Sequence, residues 1–278
     1  RSIKWFKKRW GSVNVLDLFS GIGGFSLGLE STGFFKTIAF VEKDKFCQKL
    51  LQKNFPNIPI EDEVRNVKGE RFKADVITGG FPCQPFSVAG KRRGTDDDRF
   101  LWDETIRIVS EQKCKWFIGE NVEGIINIQD GMVFRQIHDD LESEGFETQS
   151  LIIPASGVGA WHQRKRVWII GCNVSNTQRN KHQHSTIRKS RANEIWGFYS
   201  KKEKQATHDI RSKTTRCDGI SGKTESWWEA QSNILRNVNG LSYELDKDRA
   251  NRIKSLGNSI VPQIAREIGK AIMEAELG

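Results

Sequence analysis

Several short stretches of this chain carry residue types that could do chemistry. In Gly79-Gly80-Phe81-Pro82-Cys83-Gln84-Pro85-Phe86-Ser87 a cysteine stands between two prolines. Proline fixes its own φ and removes a backbone donor, so this turn cannot run on as helix or strand, and it displays the thiol at one place. Most cysteines are small buried hydrophobes. That description suits Cys47, Cys114, Cys172 and Cys217 but fits Cys83 poorly. No metal-ligand partner stands nearby in sequence, so the setting favours a nucleophile. Glu120-Asn121-Val122 closes an apolar run. A carboxylate at such a strand end can have a raised pKa and donate a proton. In His162-Gln163-Arg164-Lys165-Arg166, strand alternation predicts that Arg164 and Arg166 share one side. Either guanidinium could hold a phosphate or a pyrimidine oxygen. Taken singly, each of these charged residues is more often a surface ion-pair partner.

A second kind of site is a glycine-rich loop, Asp17-Leu18-Phe19-Ser20-Gly21-Ile22-Gly23-Gly24-Phe25. Gly21 and Gly23 permit a tight turn and close approach of a ligand to the backbone. Glu42 ends the next apolar run, where an acidic side chain can bind both hydroxyls of a ribose. Phe19 is placed to stack on an adenine ring. Together they predict a nucleoside-containing cofactor. The dinucleotide fingerprint is not met, because Ser26 stands where its third glycine belongs. A purely structural turn is the competing reading of the glycines.

These residues need elements to position them, and the periodicity supplies alternating strands and helices. Strands are predicted at Val13–Phe19, Thr37–Glu42, Ala74–Thr78, Trp116–Glu120, Phe146–Ile153 and Arg166–Gly171. Helices are predicted at Gly24–Glu30, Asp44–Asn54 (with Asp44 as cap), Phe100–Glu111 and Gly131–Glu144. Such alternation means a mostly parallel sheet covered on both faces, with an antiparallel pair compatible with its end. Cys83 and Glu120 both follow or end strands, so they should meet at the carboxyl edge, where such sheets place chemistry. From Cys172 to about Asp248 the pattern breaks down into a polar, weakly periodic segment. Its aromatics, Trp196, Phe198, Tyr199, Trp227 and Trp228, argue for some packing. Val261–Ala275 then reads as an amphipathic helix with Pro262 in its first turn, docked on the first domain.

With 278 residues and 37% apolar composition, the chain has material for one large domain or one ordinary domain plus a small one. No apolar run reaches membrane-spanning length and none has the form of a secretory signal. The five widely spaced cysteines make neither a zinc site nor a disulfide framework, which favours a reduced compartment. The net charge is +9, yet eleven Lys and Arg fall between Gln178 and Cys217 against three acids, and the first ten residues add five more. The rest of the chain is therefore slightly acidic. A basic insert on such a body points to a polyanion partner, most often nucleic acid, with a solvated basic loop as the plain alternative.

Taken in order, DLFSGIGGFSLGLE, GGFPCQPFS, ENV, HQRKRVWIIG and LGNSIVPQ resemble the DNA cytosine-C5 methyltransferase family, over residues 1–171 and roughly the last 30. Five blocks in this order are specific where any single block would not be. The resemblance implies an α/β fold, a Rossmann-like S-adenosylmethionine-dependent methyltransferase sheet in residues 1–171 completed by 250–278. It also implies a small irregular target-recognition domain in 172–249. It assigns Phe19, Gly21 and Gly23 to the cofactor, Glu42 to its ribose, Asp62 to its adenine amino group, Leu101 to packing on the adenine, and Asn258 and Ser259 to closing the site. It makes Cys83 the nucleophile, Glu120 the acid at cytosine N3, and Arg164 and Arg166 the holders of the base and the active-site loop. Gly90-Lys91-Arg92-Arg93-Gly94 is similar to the family's closing loop. S-adenosyl-L-methionine is the implied cofactor and no metal is expected. Double-stranded DNA is the implied partner, a cognate restriction endonuclease is a candidate second one, and a cytoplasmic, nucleoid-associated monomer is the expected state.

The chain departs from the family pattern at Trp161, where a proline is usual, and ahead of LGNSIVPQ, where only Asn239–Leu241 and Arg252–Leu256 look related. The first dozen residues match nothing. The lack of a long extension favours a bacterial or phage type. Two other readings stay open. One is a cytosine-C5 methyltransferase acting on tRNA. The other is a non-catalytic DNA-binding homologue, against which intact Cys83, Glu120 and Arg164 count.

Overall fold

The computed structural model describes residues 12–82, 101–174 and 249–277. Cys83, the Gly90–Gly94 loop, the basic stretch Gln178–Cys217 and all but the ends of the expected recognition domain lie outside the described residues. Among those residues seven strands form one sheet: β1 (Val13–Leu18), β2 (Phe35–Val41), β3 (Ile60–Glu61), β4 (Val76–Gly79), β5 (Trp116–Val122), β6 (Phe146–Pro154) and β7 (Lys165–Asn173). Their order is β3-β2-β1-β4-β5-β7-β6. The first five are mutually parallel, while β7 runs antiparallel to both β5 and β6. The expected α/β sheet is therefore present, and the antiparallel pair sits at its end. The sheet reaches Cys172 and Asn173 at the near end of the segment assigned to target recognition, and a helix takes Arg249 at the far end.

Helices α1 (Gly24–Glu30), α2 (Lys45–Asn54), α3 (Trp102–Gln112), α4 (Met132–Ser143), α5 (Arg249–Gly257) and α6 (Pro262–Leu277) accompany the sheet. Alternation along the strands splits the core in two. Leu16, Leu18, Ile77, Phe117, Val167 and Ile169 face a layer built on Trp102, Ile108 and Ile137 of α3 and α4. Val15, Val76, Ile118 and Trp168 face α1 and α6, through Phe25, Leu29, Ile264 and Ile268. Helix α6, the last in the chain, thus packs on the same face as the first. A Cβ on Gly28 would lie 2.2 Å from the Pro262 carbonyl oxygen, so glycine there permits the close approach of α1 and α6. At the other end of α6, Glu276 accepts from Trp116 Nε1 at 2.8 Å and pairs with Lys115.

Candidate active site

In a parallel sheet every strand delivers its carboxyl end to one edge. Here that edge gathers the residues after β1, β2, β3 and β4 and the end of β5. Because β7 is antiparallel, its amino end arrives there too, with Arg166 opposite Val122 and Trp168 opposite Glu120.

The half of the edge nearest β1 and β2 is built by backbone donors. Phe19 and Gly21 both have positive φ, 52° and 55°. That bend turns the Gly21 N–H onto Glu42 Oε2 at 2.6 Å, while the Asp44 N–H reaches Oε1 at 2.7 Å. Burial raises the Glu42 pKa, and these N–H bonds oppose it. The N–H groups of Gly21 and Asp44 thus anchor one oxygen each, and a carboxylate held in this way can still accept from hydroxyl groups. Among the described residues a Cβ on Gly21 would meet nothing within 4 Å, which leaves space beside the loop for a ligand. Gly23 has φ 84° and faces Phe55 and Leu51, so its side of the loop packs against the α2 end. Asp62, just past β3, is exposed and lies 3.9 Å from Lys45. Leu101 is buried immediately before α3 and accepts from Thr105 through its carbonyl. Asn258 and Ser259 form the turn between α5 and α6, with their N–H groups donating to the carbonyls of Lys254 and Leu256.

The half nearest β5 and β7 is built by side chains. Burial pushes the Glu120 carboxyl up to about 7, against the pull of Arg166 and Arg164. Arg166 Nε lies 3.1 Å from Glu120 Oε1. A Cβ on Gly80 would stand 3.5 Å from both Glu120 Oε2 and Ile260, which places the β4 turn and the α5–α6 loop against this carboxyl. Arg164 lies before β7, outside the strand predicted from Arg166, so alternation does not set its direction. It has φ 31° and donates through Nη2 to the carbonyls of Gly257 and Ser259 at 2.8 Å each. A non-glycine residue in that region is costly unless its surroundings hold it there. Trp161, in the same β6–β7 connection, is 64% exposed and packs edge-on against His162.

Two residues without a role in the sequence reading join the halves. Asn121 Nδ2 donates to the Phe81 carbonyl at 2.9 Å, fixing the turn two residues before Cys83 to the strand that carries Glu120. Asp17 is fully buried near the end of β1 and accepts from Ser26 and Thr78. Both lie inside motifs singled out by sequence, but only their distant partners reveal what they do. The structure thus brings Phe19, Gly21, Glu42, Glu120, Arg164, Arg166, Asn258 and Ser259 to one edge, while Cys83 lies outside the described residues.

Residues 13–243 match the family model described as C-5 cytosine-specific DNA methylase. The Type II methyltransferase M.Bsp6I of Bacillus sp. (strain RFL6) is 37% identical over 163 residues, 57% of this chain and 52% of that protein. The Type II methyltransferase M.PspPI of Psychrobacter sp. (strain TA137) is 40% identical over 165 residues, 58% of this chain and 39% of that protein. The chain therefore spans about half or less of the length of these relatives. Among solved structures, a protein described as a DNA modification methyltransferase encoded within an E. coli prophage shares 31% identity at a TM-score of 0.52, covering 60% of this chain and 48% of that one. A Spodoptera frugiperda DNMT2 mutant, 24% identical with a TM-score of 0.54, covers 63% of this chain and 54% of its own and shares the fold.

Proposed function

The chain belongs to the C-5 cytosine-specific DNA methylase family, and we propose that it methylates C5 of cytosine within a specific sequence of double-stranded DNA, using S-adenosyl-L-methionine. The observation that carries this reading is the setting of Glu120: a partly buried carboxyl, held up to about 7, beside Arg166 and against the turn that leads to Cys83. A carboxyl with that pKa can donate a proton near neutral pH, and a guanidinium beside it can hold a ring oxygen while limiting how far its pKa climbs.

Cytosine C5 is unreactive in the intact aromatic ring. The Cys83 thiolate adds to C6 and Glu120 protonates N3, so the electron pair displaced from the ring makes C5 nucleophilic. A serine would be a far weaker attacker, being hardly ionised at neutral pH. When bound, S-adenosylmethionine supplies an electrophilic methyl group on its sulfonium. Once C5 carries the methyl group, loss of its proton restores the double bond and expels the thiolate. The open space beside Gly21 and the two anchored oxygens of Glu42 fit a ribose diol, and Phe19, Asp62, Leu101, Asn258 and Ser259 are the other residues proposed to hold the cofactor. The target atom is out of reach inside a duplex, so the base must leave the stack to enter this edge. The basic segment between Gln178 and Cys217 supplies phosphate contacts, and a restriction endonuclease that reads the same site is a candidate companion.

Expression in a host without cytosine methylation, followed by cytosine-methylation sequencing, tests the proposal. Methylated cytosines in one short context, absent with Cys83→Ala, are the expected result. A soluble, well-expressed chain that leaves DNA unmethylated would overturn the DNA reading, and labelled-cofactor transfer to tRNA would then identify an RNA substrate.

A further inference from the structure

We propose that Asp17 is a positioning residue for methyl transfer: its carboxyl ties the helix that follows the cofactor loop to β4, from which the chain runs on in sequence to Cys83, so that the cofactor and the nucleophile are set relative to one another. This rests on the reading above and adds to it a residue that acts through its partners Thr78 and Ser26.

The geometry is a three-element junction. Asp17 is the next-to-last residue of β1 and is fully buried. Its Oδ1 accepts from Thr78 Oγ1 on β4 at 2.6 Å, and its Oδ2 accepts from Ser26 Oγ on α1 at 3.0 Å. Its own carbonyl accepts from Ser20 Oγ at 2.6 Å, and that hydroxyl in turn takes the Val41 N–H of β2 at 3.2 Å. Thr78 and Asp17 are register partners, and five residues beyond Thr78 the chain reaches Cys83. Apolar residues would pack this position at less cost, since a buried carboxyl opposes folding once ionised. Burial raises Asp17 to about 7 although both hydroxyls favour the charged form, and the charge of Glu42, just past β2, adds to the rise. A raised value means that the fold is penalised as pH climbs from 3.8 to about 7. The residue is thus kept against stability, as expected of a group that serves placement.

The test uses the full chain and four variants: Asp17→Asn, Ser26→Ala, Thr78→Val and Thr78→Ser. The readouts are S-adenosylmethionine affinity by calorimetry, kcat and KM, and melting at pH 4.5 and pH 8. Thr78→Val loses only the β4 side, so kcat should fall about tenfold or more with cofactor affinity within about threefold, since small misplacements of a reacting group are costly. Thr78→Ser keeps the hydroxyl and should restore kcat. Ser26→Ala should weaken cofactor binding about three- to tenfold and spare kcat, because a single lost hydrogen bond is worth that much. Asp17→Asn should do both, and should gain in melting temperature relative to wild type as pH rises from 4.5 to 8. If Thr78→Val and Asp17→Asn lower only the melting temperature, or if all variants move kcat and affinity by one common factor, the tie is structural and the proposal is overturned. A wild-type chain that methylates nothing would sink the reaction proposed above. In that case the affinity series still decides the tie, and unchanged binding in Asp17→Asn and Ser26→Ala overturns it.

Discussion

The two halves of the catalytic edge hold their acids by opposite means. Glu42 sits among backbone N–H donors from Gly21 and Asp44. Glu120 sits among side chains, with one guanidinium at 3.1 Å and a second acting on it from Arg164. Backbone donors come from a bent loop and cannot swing away, so the Glu42 carboxylate is fixed to accept from a neutral diol. Side-chain cations can be rearranged by a substrate, and burial keeps Glu120 near the point where it can part with a proton. The difference follows from topology. Parallel β1 and β2 deliver two strand ends whose loops fold over each other, whereas antiparallel β7 brings the start of a cationic strand against the end of β5.

The largest effect should come from removing Cys83, the proposed nucleophile. Cys83→Ala should abolish methyl transfer while S-adenosylmethionine affinity, measured by calorimetry, stays within about twofold of wild type, because the thiol takes part only in the covalent step. DNA with 5-fluorocytosine at the target should trap wild type in a stable complex and leave the variant free, since fluorine cannot depart as a proton does. A Cys83→Ala chain that still turns over would mean that the covalent route is wrong.

Glu120→Gln should come next, with kcat lowered roughly 10²- to 10⁴-fold, the usual span for losing a positioned acid. The pH profile sharpens this. Glu120 is protonated below about 7, so the wild-type rate should fall as pH climbs through that value and the acid ionises. The variant has no such group, and its profile should lack that limb. A limb that survives in Glu120→Gln would assign the proton to another residue.

Glu42→Gln reverses the pattern. An amide turns one of the two acceptors into a donor facing a backbone N–H, so both the loop and the diol lose a partner. Hydrogen bonds to a charged group are worth about 1.5–3 kcal/mol, which corresponds to a cofactor affinity about ten- to a hundredfold weaker. At saturating cofactor, kcat should stay within about threefold. A kcat loss as deep as that of Glu120→Gln would erase the division between the halves.

Much of this edge was legible in the chain itself. The run VNVLDLF becomes β1, the glycines bend after it, and Glu42 and Glu120 fall at or near strand ends as their apolar neighbours require. What was not legible depends on partners far away in sequence. Alternation predicts that Arg164 shares one side with Arg166. Instead it lies before the strand with φ 31°, held by carbonyls 93 and 95 residues further on. No local pattern encodes that contact. Asp17 reads as a polar break in an apolar strand until Thr78, 61 residues later, is placed beside it. Helix α5 was missed for a different reason: its sequence RANRIKSLG is mostly polar and of its described side chains only Ser255 is buried, so it lacks the apolar stripe that identifies a helix.

The smallest expected effect lies behind the Glu42 half. Asp44 gives its N–H to Glu42, and its side chain caps α2 by accepting from the N–H groups of Phe46 and Cys47 at 2.9 and 3.3 Å. Its second oxygen lies 3.2 Å from Lys254 Nζ of α5. Asp44→Ala keeps the backbone donor and loses the cap, at a cost of about 1 kcal/mol. The exposed Lys254 pair adds little to that. The Asp44 pKa is lowered in the fold by its hydrogen bonds and by Lys254, against a desolvation that raises it. A lowered value stabilises the fold above the unfolded pKa near 3.8 and loses that contribution as pH falls below it. The gap in melting temperature between wild type and Asp44→Ala should therefore hold steady from pH 8 to about 5 and narrow on further acidification. Cofactor affinity should fall by no more than about threefold, since the Glu42 carboxylate keeps the N–H groups of Gly21 and Asp44. A loss as large as that of Glu42→Gln would mean that the cap, and not the bent loop, fixes the acid.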